Sequence, residues 1–144
     1  MSILELGDKF IKSDGEYQFP VMENGTYPAR VIGVEDVLSK KSSAPMWQIT
    51  FSVEGEVGEW YSHEIKMWQM LPYGDGTEDL SDNRRNQYID EIKKLWIATG
   101  ADSKDGVVDS DELVGCQCNI VVVKEPHHQK PGKFTNKIVD TLPI

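Results

Sequence analysis

Within residues 46–55, "MWQITFSVEG", positions 47–53 alternate between apolar and polar. Trp47, Ile49, Phe51 and Val53 fall on one side, and Gln48, Thr50 and Ser52 on the other. A period of two marks a half-buried strand with its apolar side on a core. Before it, "NGTYPARVIGVEDVL" (Asn24 to Leu38) reads as a long strand opened by an Asn-Gly turn. Gly33, in the middle of that run, predicts a bulge or sharp bend. After it, "EVGEWYSHEIKMW" (56–68) reads as a third strand, joined by a short glycine-containing turn. In that phase Tyr61, His63, Ile65 and Met67 share one side, and Trp60, Ser62, Glu64, Lys66 and Trp68 the other.

The period then changes. In "SDNRRNQYIDEIKKLWIATG" the apolar positions Tyr88, Ile89, Ile92, Leu95 and Trp96 recur at helical spacing and form one stripe. Ser81 or Asp82 can cap its start, and Gly100 supplies the stop. An acidic loop, "ADSKDGVVDSDE", leads to a fourth strand, "LVGCQCNIVVVKE". The turn "PHHQKPGK" joins it to a fifth, "FTNKIVDTL".

Three strands, one helix and a two-strand hairpin is the element order of an OB-fold, a five-stranded barrel with its helix between strands 3 and 4. Other α+β sheet domains share the order, but the glycine in strand 1 and the helix position both favour the barrel. The expected fold is therefore all-β with one helix. Residues 1–23 form a polar N-terminal arm, and residues 24–144 form the OB-fold domain.

Length and composition fit this reading. A chain of 144 residues, 39% hydrophobic and 27% charged, is long enough for one domain with a real core. The start, "MSILELGDKFIK", lacks the basic and apolar blocks of a secretory signal. The longest strongly apolar run, "IVVV", is far below the ~20 residues of a membrane span. Cys116 and Cys118 flank a single residue, which implies no disulfide framework and fits a reducing compartment.

Charge changes the picture more. The net charge is −9, which argues against coating nucleic acid through bulk electrostatics. The distribution is uneven. Residues 75–112 hold eleven acids against five bases, whereas residues 113–144 hold two acids against four bases. No acid lies between Asp36 and Glu54, and the loop there, "SKKSSAP", carries Lys40 and Lys41. An OB-fold binds on the face of strands 2 and 3, between the loop joining strands 1 and 2 and the loop joining strands 4 and 5. The second of those loops carries Lys130 and Lys133, with Lys124 and Lys137 on the adjoining strands. The chain is thus acidic in total and basic where such a barrel would meet a polyanion.

Single-strand binding also needs aromatic platforms, since a stacked base contributes ~1–3 kcal/mol largely irrespective of sequence. Trp60 and Trp68, with Lys66 between them, supply aromatic–basic interleaving, and Tyr73 and Arg30 are further candidates. Trp47 and Trp96 fall in step with core positions. Cys-x-Cys followed nine residues later by His127 and His128 matches no zinc-knuckle spacing, so no metal or other cofactor is expected. There is no phosphate-cradling glycine loop, nucleophile elbow or His-Glu-x-x-His, so the chain does not read as an enzyme. Carboxylates of 75–112 arranged as a two-metal nuclease site are the weaker catalytic alternative.

Five segments, "ENGTYPARVIGVEDV", "MWQITFSVEG", "LWIATGAD", "DELVGCQCNIVVV" and "NKIVDTLP", resemble bacteriophage single-stranded DNA-binding proteins. More narrowly, they resemble a phage replication and recombination family long known as a domain of unknown function. The resemblance covers roughly residues 24–143, and its motifs are of low specificity. It implies an OB-fold that coats single-stranded DNA in the cytoplasm of an infected bacterium, without catalysis and without a membrane. It implies phage or host replication and recombination proteins as further partners, and leaves room for oligomers. By position, the family's first binding loop maps to Ser39–Pro45 and its strand 4–5 hairpin to Glu125–Lys133. The acidic tail of many such proteins has no match in "VDTLPI", which moves partner recruitment to the acidic 75–112 region. The alternative function is an OB-type protein–protein adaptor of such a complex.

Overall fold

The fold is seen in a computed structural model that describes residues 2–15, 21–54, 62–129 and 131–144. Five strands make one antiparallel sheet: β1 (Gly25–Leu38), β2 (Pro45–Val53), β3 (Glu64–Met70), β4 (Gln117–Pro126) and β5 (Phe134–Leu142). They lie in the order β3-β2-β1-β4-β5. The long helix, α2 (Asp82–Thr99), follows β3 and precedes β4, and a short helix, α1 (Gly7–Lys12), lies in the arm.

The alternation in β2 becomes burial directly. Trp47, Ile49, Phe51 and Val53 are buried, and the residues between them are only partly covered. β1 serves both halves of the sheet, pairing with β2 on one edge and with β4 on the other. Its register with β2 slips between Val31 and Gly33, so Ile32 is the extra residue of a bulge. The bulge turns a 14-residue strand and lets one sheet curl round its own core. β3 and β5, the two ends of the order, face each other across a cleft without a shared ladder among the described residues. The result is a small barrel-like sheet that does not close.

The apolar face of α2 fits over the core. Ser81 accepts the Arg84 backbone N–H at 3.1 Å, and Gly100 ends the helix at φ 70°, a left-handed geometry that favours glycine. Ile92, Leu95, Trp96 and Ala98 are buried. The Trp47 and Trp96 rings meet at 5.9 Å, joining helix to sheet, so both tryptophans belong to the core. Phe51, Ile49, Leu95, Ile120 and Val122 are fully enclosed, each contributing about 1.5–3 kcal/mol by burial.

Three sequence expectations change. Residues 113–116 are not strand: a 3₁₀ turn at Ser110–Leu113 buries Leu113, and β4 starts at Gln117. β3 starts at Glu64, because Ser62 at φ 64° turns the chain, its N–H bonded to the Val53 carbonyl at 2.9 Å. The alternation of β3 therefore does not extend through Ser62. The arm is also more than a polar lead-in. Met22 is fully buried, and the Asn136 side chain holds both its N–H, at 2.7 Å, and its carbonyl, at 2.9 Å. Among the described residues, no helix is long and apolar enough to cross a membrane.

Candidate nucleic-acid interface

β2 and β3 present a polar outer face, set by the same alternation that fills the core. Gln48 pairs with Trp68, Thr50 with Lys66 and Ser52 with Glu64. Trp68 is 53% exposed, and its indole N–H donates to the Gln48 side-chain oxygen Oε1 at 3.3 Å, which fixes the ring along the strand. Lys66 is exposed one pleat away, on the same side. The face is not uniformly basic. Glu64 flanks Lys66, and Glu35 of β1 pairs with Gln48 beside Trp68.

At the rim of this face, the β3–β5 seam opens into a cleft of about 540 Å³. Glu64, Lys66 and Trp68 line one wall, Phe134, Thr135 and Asn136 the other, and Val21 also borders the cleft. The volume is in the range of pre-formed ligand sites. Phe134 is 49% exposed, and the Lys124 ammonium lies 5.3 Å from the centre of its ring. That distance allows cation–π attraction and keeps a positive charge on the cleft margin. Lys124 also reaches Glu23 at 3.6 Å, a surface pair that a competing phosphate can exchange.

The two loops frame the site differently. Between β1 and β2 the chain turns tightly: Ser39 and Ser43 N–H groups donate to Ala44 and Ser39 carbonyls, both at 2.8 Å. Lys40 and Lys41 stand exposed at its tip and form no ion pair among the described residues. The connector after β3 packs against this turn: a Cβ on Gly76 would lie in ordinary contact with the Ser43 carbonyl, at 3.5 Å, and the left-handed φ of +89° is what favours glycine there. At the other loop, the Lys133 carbonyl accepts the His127 N–H at 2.8 Å and closes the hairpin base. Lys133 is half-buried there, and His127 and His128 stack at 5.4 Å.

Of the sequence candidates, Lys66 and Trp68 line the cleft, Lys124 stands beside Phe134 at its margin, and Lys40, Lys41 and Lys133 sit on the flanking loops. Trp60 and Lys130 lie outside the described residues. Arg30 is engaged elsewhere: it binds Glu54 at 3.0 Å and donates to the Gly115 carbonyl at 2.6 Å. Tyr73 stands on the connector with the Arg85 guanidinium 4.9 Å from its ring centre, facing α2 rather than the cleft. Sequence reasoning missed Phe134 and Asn136. The available signal was position, since Phe134 directly follows the lysine-bearing hairpin.

Cys118 is enclosed in the core, and burial, reinforced by Cys116, pushes its thiol up to about 11, so it is a packing residue rather than a nucleophile. Cys116 and His127 lie at opposite ends of β4, separated by ten strand residues or roughly 33 Å at ~3.3 Å each, too far to share an ion. Among the described residues no group of His, Cys, Asp or Glu is placed to hold a metal. No family model matches the chain, and neither does any curated protein.

Proposed function

We propose that this chain is an OB-type barrel that binds single-stranded DNA without catalysis. The observation that carries the reading is the cleft between β3 and β5: two half-exposed aromatic rings, Trp68 and Phe134, on opposite walls, with Lys66 and Lys124 beside them. Bases stack on such rings whatever their identity, while ammonium groups follow the phosphates. The open seam also suits a partly open OB barrel, and the two loops that flank its binding face carry lysines. Lys40 and Lys41 would hold the backbone as it leaves the cleft. By resemblance, the setting is the cytoplasm of a bacterium during phage replication or recombination.

The test is a salt-series titration of labelled oligothymidine, with duplex DNA and single-stranded RNA alongside. Log affinity should fall linearly with log salt, by about 0.7 per phosphate neutralised on a single strand. Replacing both Lys40 and Lys41 with Glu should weaken binding and flatten that slope by roughly 1.4 if each lysine holds one phosphate. Salt-independent affinity, or no binding at low salt, removes the proposal.

A second reading, an OB-type adaptor for a basic protein, is favoured by the acids that share the outer face, Glu35 and Glu64, and by the net −6 of residues 75–112. It predicts no shift with any nucleic acid in the same titration.

A further inference from the structure

Two apolar surfaces of this chain have no cover among the described residues. The first is the arm. At 100° per residue, Ile3, Leu4, Leu6, Phe10 and Ile11 fall on one half of a helical wheel, and Glu5, Asp8, Lys9 and Lys12 on the other. The split is complete, and residues 7–12 are already helical. Yet every residue from 2 to 15 is exposed, and the five apolar side chains are between 56% and 84% open to solvent. An apolar stripe of this kind ordinarily forms because something buries it.

The second surface is a groove of about 340 Å³ between α2 and the loop that follows it. Ile89, Ile92, Trp96, Val108 and Pro72 make its apolar lining, and Lys93 stands at its edge. Ile89 is 39% exposed and Val108 38%, and they line the groove together with the buried Ile92 and Trp96. This groove lies on α2, apart from the residues that line the β3–β5 cleft.

We infer that the arm of one copy docks as a helix in the α2 groove of a second copy. The shapes are those of helix-in-groove recognition, an amphipathic helix laying its anchors into an apolar trough. The charges agree as well. The loop 101–112 beside the groove has five acids and one base, which suits Lys9 and Lys12, and Lys93 suits Glu5 or Asp8. Residues 13–21 separate the arm from the buried Met22, and nine residues reach at most about 30 Å, enough to cross to a neighbour. The groove shares no lining residue with the β3–β5 cleft, and the pairing needs no DNA, so its failure and that of the DNA reading are separable.

The experiment is sedimentation over a concentration series without nucleic acid, on the full chain, Phe10→Glu and Ile89→Glu. Both positions are exposed, so neither change threatens the core. The wild-type chain should self-associate. Each variant should raise the dissociation constant about tenfold or more, the cost of losing a buried anchor. An equimolar mixture of the two variants should recover pairing, because the intact arm of one meets the intact groove of the other. A monomeric wild-type chain overturns the inference. So does a variant that associates normally, or a mixture that stays monomeric. If the wild type is monomeric and Phe10→Glu alone alters Trp96 emission, the arm seats in its own groove and the two-copy inference is wrong.

Discussion

Trp68 and Phe134 reach the cleft by different routes, and only one was readable beforehand. Trp68 follows from alternation, because an outward position on β3 must be outward whatever the topology. Phe134 belongs to the same parity as Ile138, which is buried, yet it ends up half-exposed because the seam is open at its level. No local pattern reports that. Arg30 and Tyr73 show the converse. Their residue types suit a phosphate or a base, but Arg30 is claimed by Glu54 and Tyr73 by Arg85, contacts that depend on distant parts of the chain. At this scale the prediction concerns the two rings. Trp68→Ala and Phe134→Ala should each weaken oligothymidine binding by about 1–3 kcal/mol. Trp68→Ala should also remove most of the tryptophan quenching on binding, while the salt slope stays unchanged.

Elements were legible where one period ran unbroken. β2 and α2 lie close to where their patterns put them, since each has a single apolar face and clear end signals, and β5 keeps its predicted bounds although its register with β4 slips at Val139. β3 and β4 were overrun at their starts: a left-handed Ser62 interrupts the first run without a glycine or proline to mark it, and in the second the break after the 3₁₀ turn was marked only by Gly115, at φ 90°. α2 meets β5 through a link that residue patterns could not show: Lys94 reaches the Asp140 carboxylate at 2.5 Å. The hydrogen bond from Lys94 holds the Asp140 carboxyl below its ordinary range, with help from the Thr141 N–H and against partial desolvation. A carboxyl depressed in the folded state stabilises fully above the unfolded value, and that gain is lost as pH falls through the folded one. Asp140→Asn should therefore unfold slightly more easily than wild type at pH 6. The gap, under about 1 kcal/mol for an exposed pair, should close as pH falls below 4. Thermal melts across pH 2.5–7 measure it.

For the whole molecule, element order predicted a β-sheet with one helix between strands 3 and 4, and the sheet has that order. What order could not reveal is how far the curl goes. The bulge at Ile32 bends β1, but β3 and β5 stop short of each other, and the arm is held beside them by a contact between the two ends of the chain. Met22 and Asn136 are 114 residues apart, and their pairing fixes the arm beside the seam. That opening has a consequence for the molecule's breathing. Among the described residues β3 and β5 each have one side without a ladder partner, so their outward amides rely on water, while those of β1 are held between two neighbours. Native-state hydrogen exchange should show β1 exchanging only on global unfolding, and the seam-facing amides of β3 and β5 exchanging orders of magnitude sooner. A strand of DNA seated in the cleft should slow exactly those early amides and leave the rest of the map alone, so the unsealed wall doubles as its own reporter of occupancy.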